Sequence, residues 1–456
     1  MSDRAPSSLE NHASFLDANP DIEVLEAFVI DVNGVPRGKW IPREHALGVL
    51  TNGMAMPRSV YALDVWGRDV RCAGLAEGTG DPDGLCFPIP GTLSRVTWLS
   101  RPTAQVLLQM QVDNKPFFAA PREVLARVLE RYKALALTPV VATELEFYLI
   151  DPVRSALDPV RPPNTREGRW HTGQTQVLSI SELQDFEEVF NGISAAARAQ
   201  NVPADTTLRE NGPGQYEINL NHVPDALAAA DYAVLLKRIV KGVARANNLD
   251  ATFMAKPYGT QAGSGMHVHF SVLDENGENI YVGEDGPSER LMHAVGGLLE
   301  NMGESMAIFA PHQNSYRRLR SSEHAPTYAS WGFDNRSAAI RVITTPTPAT
   351  RIEHRVAGAD TNPYLVLAAM LSAALSGMKQ KLPSGGAIIG DEHAIDHEPL
   401  PTNWDYALQQ FAKSSFAYAA LGPEFRSLYT ACKQQELSEF SLRVTDVEYD
   451  AYIRTV

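Results

Sequence analysis

Five glutamates and one histidine between Val141 and Arg355 fall at spacings that could build a site for two divalent cations. Glu144 and Glu146 sit in Ala142-Thr143-Glu144-Leu145-Glu146-Phe147. Glu210 and Glu217 bracket Asn211-Gly212-Pro213-Gly214-Gln215-Tyr216, His267 follows Gly263-Ser264-Gly265, and Glu353 lies between Arg351 and Arg355. Magnesium and manganese take hard oxygen ligands with an occasional imidazole, and clustered carboxylates without cysteine match that preference. Arg318, Arg336, Arg341, Arg351 and Arg355 accompany them. The guanidinium fork fits phosphate and carboxylate oxygens and keeps its charge. Cations and arginines together neutralise phosphate, so the combination points to ATP-dependent ligation.

Strands would position these groups, because residues two apart in an extended strand share a face. Glu144 and Glu146 then project together, as do His267 and His269, Glu217 and Asn219, and Arg351, Glu353 and Arg355. Leu145, Val268, Ile218 and Ile352 face the opposite way, which gives sheets with one ionic and one core face. Taken singly, each feature has a plainer reading: a glutamate pair is a solvated surface, His267 a packed histidine, Gly263-Ser264-Gly265 a turn, the arginines a basic patch. Their coincidence favours a cavity. Neither a Walker sequence nor a GxGxxG fingerprint occurs, so nucleotide binding must rest on something else, for which the arginines are the natural candidates.

The elements around them read as α+β. Ile22 to Asp31 is β-rich, and Asn33-Gly34 before a second run to Ile41 signals a hairpin. A small sheet domain over residues 20–113 ends with the strand Gln105 to Val112. Pro121 at a first helical position, with Val124, Leu125, Val128 and Leu129 at helical spacing, opens a larger domain, 114–456. There, strands at Val140 to Leu149, Tyr216 to Leu220, Met266 to Val272, Ala338 to Thr344 and Arg351 to Val356 alternate with helices. The helices are expected at Ala226 to Asn247, Ser288 to Phe309 and Pro363 to Met378. Residues 1–19 are polar and read as a flexible arm, without the apolar stretch of a signal peptide.

A chain of 456 residues, 44% hydrophobic, can bury a large core. Its formal charge of -14 repels nucleic acid and anionic membrane. Cys72, Cys86 and Cys432 form no CxxC pair, which fits a reducing cytoplasm. The apolar run Tyr364 to Leu375 is shorter than the roughly 20 residues that cross a bilayer, and reads as a buried helix.

With these segments assembled, the chain resembles the glutamine synthetase superfamily over nearly its whole length. Asn314-Ser315-Tyr316-Arg317-Arg318-Leu319, Gly263-Ser264-Gly265-Met266-His267-Val268-His269 and Asn362-Pro363-Tyr364-Leu365 look like its signatures, in order. The resemblance implies a small β-grasp-like domain followed by a catalytic domain with a strand-lined funnel. Glu146, Glu210 and Glu217 match the ligands of one metal, and Glu144, His267 and Glu353 those of a second, Mg2+ or Mn2+. Arg336, Arg351 and Ser271 match ATP-side positions, Gly263, Arg318 and Arg355 the glutamate side, and Arg341 the place where phosphate charge is stabilised. The family assembles as two stacked hexameric rings, a dodecamer whose sites borrow a neighbour's segment. Here that segment is Ser59 to Arg68, with Asp64 beside the incoming amine.

Three departures bear on the nucleophile. Ala262 stands where glutamine synthetases proper have Asn before Gly-Ser-Gly, and His324 stands where their flap has Glu before Ala-Pro, although Glu323 is adjacent. Tyr61-Ala62-Leu63-Asp64-Val65-Trp66-Gly67 replaces the usual Asp-Gly-Ser-Ser and looks like the γ-glutamyl-polyamine and γ-glutamyl-amine synthetases. Pro383 to His393 contains no tyrosine for adenylylation. Asp64, Glu210, Arg341 and His324 are the catalytic candidates. The expected activity is ATP-dependent joining of the glutamate γ-carboxylate to an amine, with putrescine-like polyamines first and monoamines next. The alternatives are glutamine synthetase itself, a ligase of another acid, and a silent ring-forming homologue.

Overall fold

The computed structural model describes residues 8–71, 74–75, 78–152, 160–164, 176–319, 325–344, 349–390 and 399–456. Helix α1 (Ser8–Ala18) precedes strands β1 (Val24–Ile30) and β2 (Pro36–Pro42), paired antiparallel so that Ile30 faces Pro36. The turn between them is the expected hairpin, with Gly34 at φ +75, where glycine carries no steric penalty. Helix α2 (Arg43–Asn52), β3 (Met54–Pro57), β4 (Asp83–Pro88), β5 (Ser94–Val96), β6 (Thr103–Val112) and β7 (Lys115–Pro116) complete the first part. These strands form one sheet in the order β2-β1-β6-β4-β3, with β5 and β7 also on β6. Strand β1 is buried along its whole length. Its one charge, Glu26, accepts from Trp40 Nε1 at 2.8 Å and pairs with Arg238 from the second part of the chain.

That second part opens with α3 (Pro121–Lys133), whose Val124, Leu125 and Val128 are fully buried. Strand β8 (Thr138–Ile150), α4 (Ile180–Asp185), α5 (Glu187–Ala199), β9 (Ala204–Arg209), β10 (Gln215–Leu220), α6 (Ala226–Ala246), β11 (Asp250–Thr252) and β12 (Met266–Leu273) follow. A short hairpin, β13 (Val282–Gly283) and β14 (Gly286–Pro287), leads to α7 (Glu289–Glu300), α8 (Met306–Phe309) and α9 (Ser315–Arg318). Then come β15 (Trp331–Phe333), β16 (Ile340–Ile343), β17 (Arg351–His354), α10 (Pro363–Gln380), α11 (Trp404–Lys413), α12 (Ser415–Leu421), α13 (Pro423–Leu442) and α14 (Asp446–Tyr452). The class is α+β, as expected.

Helix α10 is the apolar run read as a buried helix, and Tyr364 through Leu375 are all buried. Asn362 caps it by accepting from Tyr364 N at 3.1 Å, with Pro363 at the first helical position. The same Asn362 donates to the carbonyl of Asp31 at 3.0 Å, tying α10 to the end of β1. Two local expectations are corrected. Ser288 to Phe309 is not one helix: α7 stops at Glu300, and a 3-10 turn at Gly303–Ser305 intervenes before α8. Asn301 and Gly303 are poor helix formers, and Asn301 turns its side chain back onto the carbonyl of Gly297 at 2.8 Å. Within the segment read as a flexible arm, Ser8–Ala18 is helical, and Leu16 is 6% exposed. Among the described residues, no helix is long and apolar enough to cross a membrane.

Candidate active site

The larger sheet runs β15-β16-β17-β12-β8-β10-β9, and its register sets the ionic side chains in rows. Residues directly opposite on paired strands share a face. One row reads Leu208, Glu217, Glu146; the next Asn219, Glu144, His267; a third His269, Glu353, Arg341. Leu145, Phe147, Ile218, Val268 and Ile352 alternate with them and are buried on the other face. A cavity of about 550 Å³ lies over the ionic face, lined by Glu144, Glu146, Glu210, Glu217, His267 and His269 together with Arg318, Arg336, Arg341, Arg351 and Arg355.

Donor atoms converge there in three overlapping sets, each within 4.8 Å: Glu146, Glu210 and Glu217; Glu144, Glu217 and His267; Glu144, His269 and Glu353. His267 Nδ1 lies 3.4 Å from Glu144 and 3.9 Å from Glu353, and its Nε2 lies 3.8 Å from Glu146. Arg351 Nε donates to His269 Nδ1 at 3.2 Å, which leaves the ring proton on Nε2. That Nε2 is 3.0 Å from Glu144 but off the line of a good hydrogen bond, so this buried nitrogen has no aligned partner. The carboxylate oxygens that converge on the His267 imidazole fit a divalent cation, while the His269 Nε2 proton is placed to donate to an anion.

The charges divide into a compensated and an uncompensated half. Burial would raise the Glu144 carboxyl, but His267 and His269 hold it far below the usual carboxylate range. Glu353, 1% exposed, would also be raised by burial; Arg355 and the two histidines bring it to about 2. Its oxygens accept from Arg355 Nη1 at 2.5 Å and Arg341 Nη1 at 3.0 Å. On the other half, burial and the neighbouring Glu146 push Glu210 up to about 7. Burial with Glu144, Glu146 and Glu210 pushes Glu217 up to about 10. That half holds more negative charge than its protein partners neutralise.

Arg318, from α9, reaches the cavity floor and donates to the carbonyls of Val356 at 2.8 Å and Arg355 at 3.2 Å. The glycines of Gly263-Ser264-Gly265 make room for it. A Cβ on Gly263 would meet Arg318 Cγ at 2.6 Å and the Ala255 carbonyl at 2.8 Å; on Gly265 it would meet Arg318 Nη2 at 2.9 Å and His267 Nε2 at 3.1 Å. Backbone cannot step aside as a side-chain tip can, so Gly263→Ala is expected to cost about 1–3 kcal/mol by overpacking. Gly265→Ala should cost less, and urea unfolding of the two variants measures the difference.

Other sequence-derived positions fall as follows. Arg336 is exposed at the cavity rim. Ser271 follows His269 on the same face of β12, but is not among the residues lining the cavity. Asp64 does not line it either. Its carboxylate closes its own turn, accepting from Trp66 N at 3.0 Å, Arg68 N at 2.9 Å and Arg68 Nε at 2.9 Å, and it docks on Gln435 Nε2 at 3.1 Å. His324 and Glu323 lie outside the described residues. Sequence reasoning left out His269 as a donor, although the alternation placed it beside His267. It also missed Gln215, which pins the glycine turn by donating to the Gly263 carbonyl at 2.9 Å, and lies 3.4 Å from Glu146. Arg209, 0% exposed, carried no signal; it pairs with Glu182 and donates to the carbonyls of Glu210 and Gly212.

A sheet face that sets carboxylates and imidazoles against arginines over one cavity belongs to a protein that handles polyanions together with cations. Residues 118–452 match the glutamine synthetase catalytic domain, and the chain belongs to that family. It is 40% identical over 440 residues to γ-glutamylputrescine synthetase PuuA of Escherichia coli K12, covering 96% of this chain and 93% of that protein. It is 32% identical over 446 residues to a glutamate–isopropylamine ligase of a Pseudomonas species, covering 95% of each. A GmaS–ADP complex superposes with a TM-score of 0.83 at 26% identity, over 97% of this chain and 99% of that one.

Proposed function

We propose that this chain is an ATP-dependent ligase that joins the γ-carboxylate of glutamate to a primary amine, a putrescine-like polyamine foremost. The reading is carried by one cavity that joins the carboxylate cluster, the arginines and Glu210, in a chain whose relatives form γ-glutamyl amides. Glu146, Glu210 and Glu217 would hold one divalent cation, and Glu144, His267 and Glu353 another, magnesium or manganese. Bound there, the cations would screen phosphate charge during transfer.

A γ-carboxylate is a poor acylating group, so its oxygen first takes the terminal phosphoryl group of ATP, giving γ-glutamyl phosphate and ADP. The amine then attacks the activated carbonyl, the amide C–N bond forms, and phosphate leaves. Arg318, with Arg355 and the cleft at Gly263, holds the glutamate carboxylate; Arg336 and Arg351 face ATP; Arg341 neutralises the phosphoryl group in flight. Strands β16 and β17, which carry Arg341 and Arg351 and lead into Arg355, lie toward one end of the sheet, and β9, which runs into Glu210, forms the other. The amine therefore approaches at the β9 end, where Glu210 accepts its proton. His324 in the flap serves the same amine site, and the loop held together by the buried Asp64 carboxylate would border that site from a neighbouring subunit.

A site shared in this way would need a homo-oligomer, proposed as two hexameric rings. Leu442, Val447 and Ile453, exposed by 79%, 76% and 71%, offer apolar surface for a second copy. Native mass spectrometry tests the assembly. The activity is tested by incubating the protein with ATP, magnesium and glutamate and weighing the products with ammonia, putrescine, spermidine, ethanolamine and monoamines. A γ-glutamyl amide with little glutamine is expected; glutamine as the main product would make the chain a glutamine synthetase.

A further inference from the structure

At the β9 end of the cavity the lining changes character. Val177, Leu178 and Leu208 form a lip beside Glu210, where the opposite end is lined by arginines. Leu208 is the end of a row whose other members are Glu217 and Glu146, so an aliphatic side chain extends the ionic face outward. Val177 and Leu178 are 46% and 65% exposed. Leu178 is also held at φ +60, a left-handed conformation that costs free energy in any residue with a Cβ. Its N–H donates to the Arg209 carbonyl at 3.0 Å. The Arg209 guanidinium donates in turn to the Glu210 carbonyl. One buried arginine thus fixes both the apolar lip and the residue proposed to take the amine proton.

We infer that Val177, Leu178 and Leu208 are the wall that receives the carbon chain of the amine, and that they set the preference for an alkylamine over ammonia. The inference rests on the ligase reading and deepens it by naming the substrate class. With its nitrogen at Glu210, a primary amine lays its methylenes along the wall. The wall is open to water at its outer edge, so a second ammonium at the far end of a diamine stays solvated while the chain between is covered. Leu178 and Leu208 are therefore specificity residues, and they act through apolar contact, not through charge.

The test is the dependence of kcat/KM on chain length, from methylamine through n-pentylamine and with putrescine, in the full-length enzyme. Wild type is expected to gain about fourfold per methylene that reaches the wall. Leu178→Gly, which removes the wall and suits the positive φ, and Leu208→Ala are expected to flatten that gain to about twofold or less. Leu178→Gly should fold at least as stably as wild type, because glycine relieves the backbone. A chain-length gain that survives in both variants overturns the inference while leaving the ligase reading intact. Glutamine alone, or no product with any amine, overturns the ligase reading and the wall with it.

Discussion

Glu217→Gln is expected to stabilise the cation-free protein and to slow turnover by on the order of 10³-fold, the loss of about 4 kcal/mol of metal-borne stabilisation. The two effects have one cause. Glu217 is 6% exposed and faces Glu144, Glu146 and Glu210, so its ionised form is disfavoured twice, by burial and by like charge. An acid whose folded-state pKa lies above its unfolded value keeps its proton on folding. Its stabilising contribution is complete below about pH 4.5 and is lost as pH rises through about 7 for Glu210 and about 10 for Glu217. The cation-free protein should therefore lose stability between pH 5 and 9, and Glu217→Gln should remove part of that slope. The expected gain is roughly 1 °C in Tm per kcal/mol of repulsion relieved in a chain of this length. Glu353→Gln should act in the opposite sense, since Glu353 is held at about 2 by the cations around it and its loss takes the carboxylate from Arg355 and leaves Arg341 with Asp334 alone. A cost of about 3 kcal/mol is expected. Magnesium should raise the Tm of wild type and of neither variant to the same degree. A Glu217→Gln protein less stable than wild type at pH 8 without cations would falsify this account of the cluster.

The part of the site that was legible in the sequence is the part built by alternation. Glu144 with Glu146, and Glu217 with Asn219, share a face because strand geometry forces it, and pairing of the strands then brings the segments into rows. The hairpin at Asn33-Gly34 and the start of α3 at Pro121 are equally local. What sequence did not give depends on partners far along the chain. Asp64 is a turn carboxylate whose outer contact, Gln435, comes 371 residues later. Arg209 reads as one more charge at a strand end until its guanidinium is seen closing on the carbonyls of its own loop. The break after α7 was hidden by apolar residues that keep helical spacing on both sides of Asn301, and α1 by a polar composition around Phe15 and Leu16.

A second large effect is expected away from the cavity, where α13 grips the first part of the chain. Lys433 and Glu436 are both 0% exposed and paired at 3.0 Å. Glu436 also accepts from Asn33 Nδ2 and from Val65 N, each at 2.9 Å, and Lys433 donates to Asn33 Oδ1 at 2.5 Å. Removing one member leaves the other as a buried charge, so Glu436→Leu is expected to cost about 3–5 kcal/mol, while Lys433→Met with Glu436→Leu together should recover most of that loss. Urea unfolding of the two single variants and the double measures the coupling, and additive losses would mean that the pair is not the unit of stability here. The same turn of α13 supplies Gln435, which holds Asp64 Oδ2 and the Asp69 carbonyl, each at 3.1 Å. Gln435 is only partly buried, so Gln435→Ala removes these contacts at little cost in stability. If the loop around Asp64 serves a neighbouring subunit's amine site, that variant should raise KM for the amine and leave KM for ATP unchanged. Equal changes in both, or none, would confine the grip of α13 to stability and remove Asp64 from the amine site.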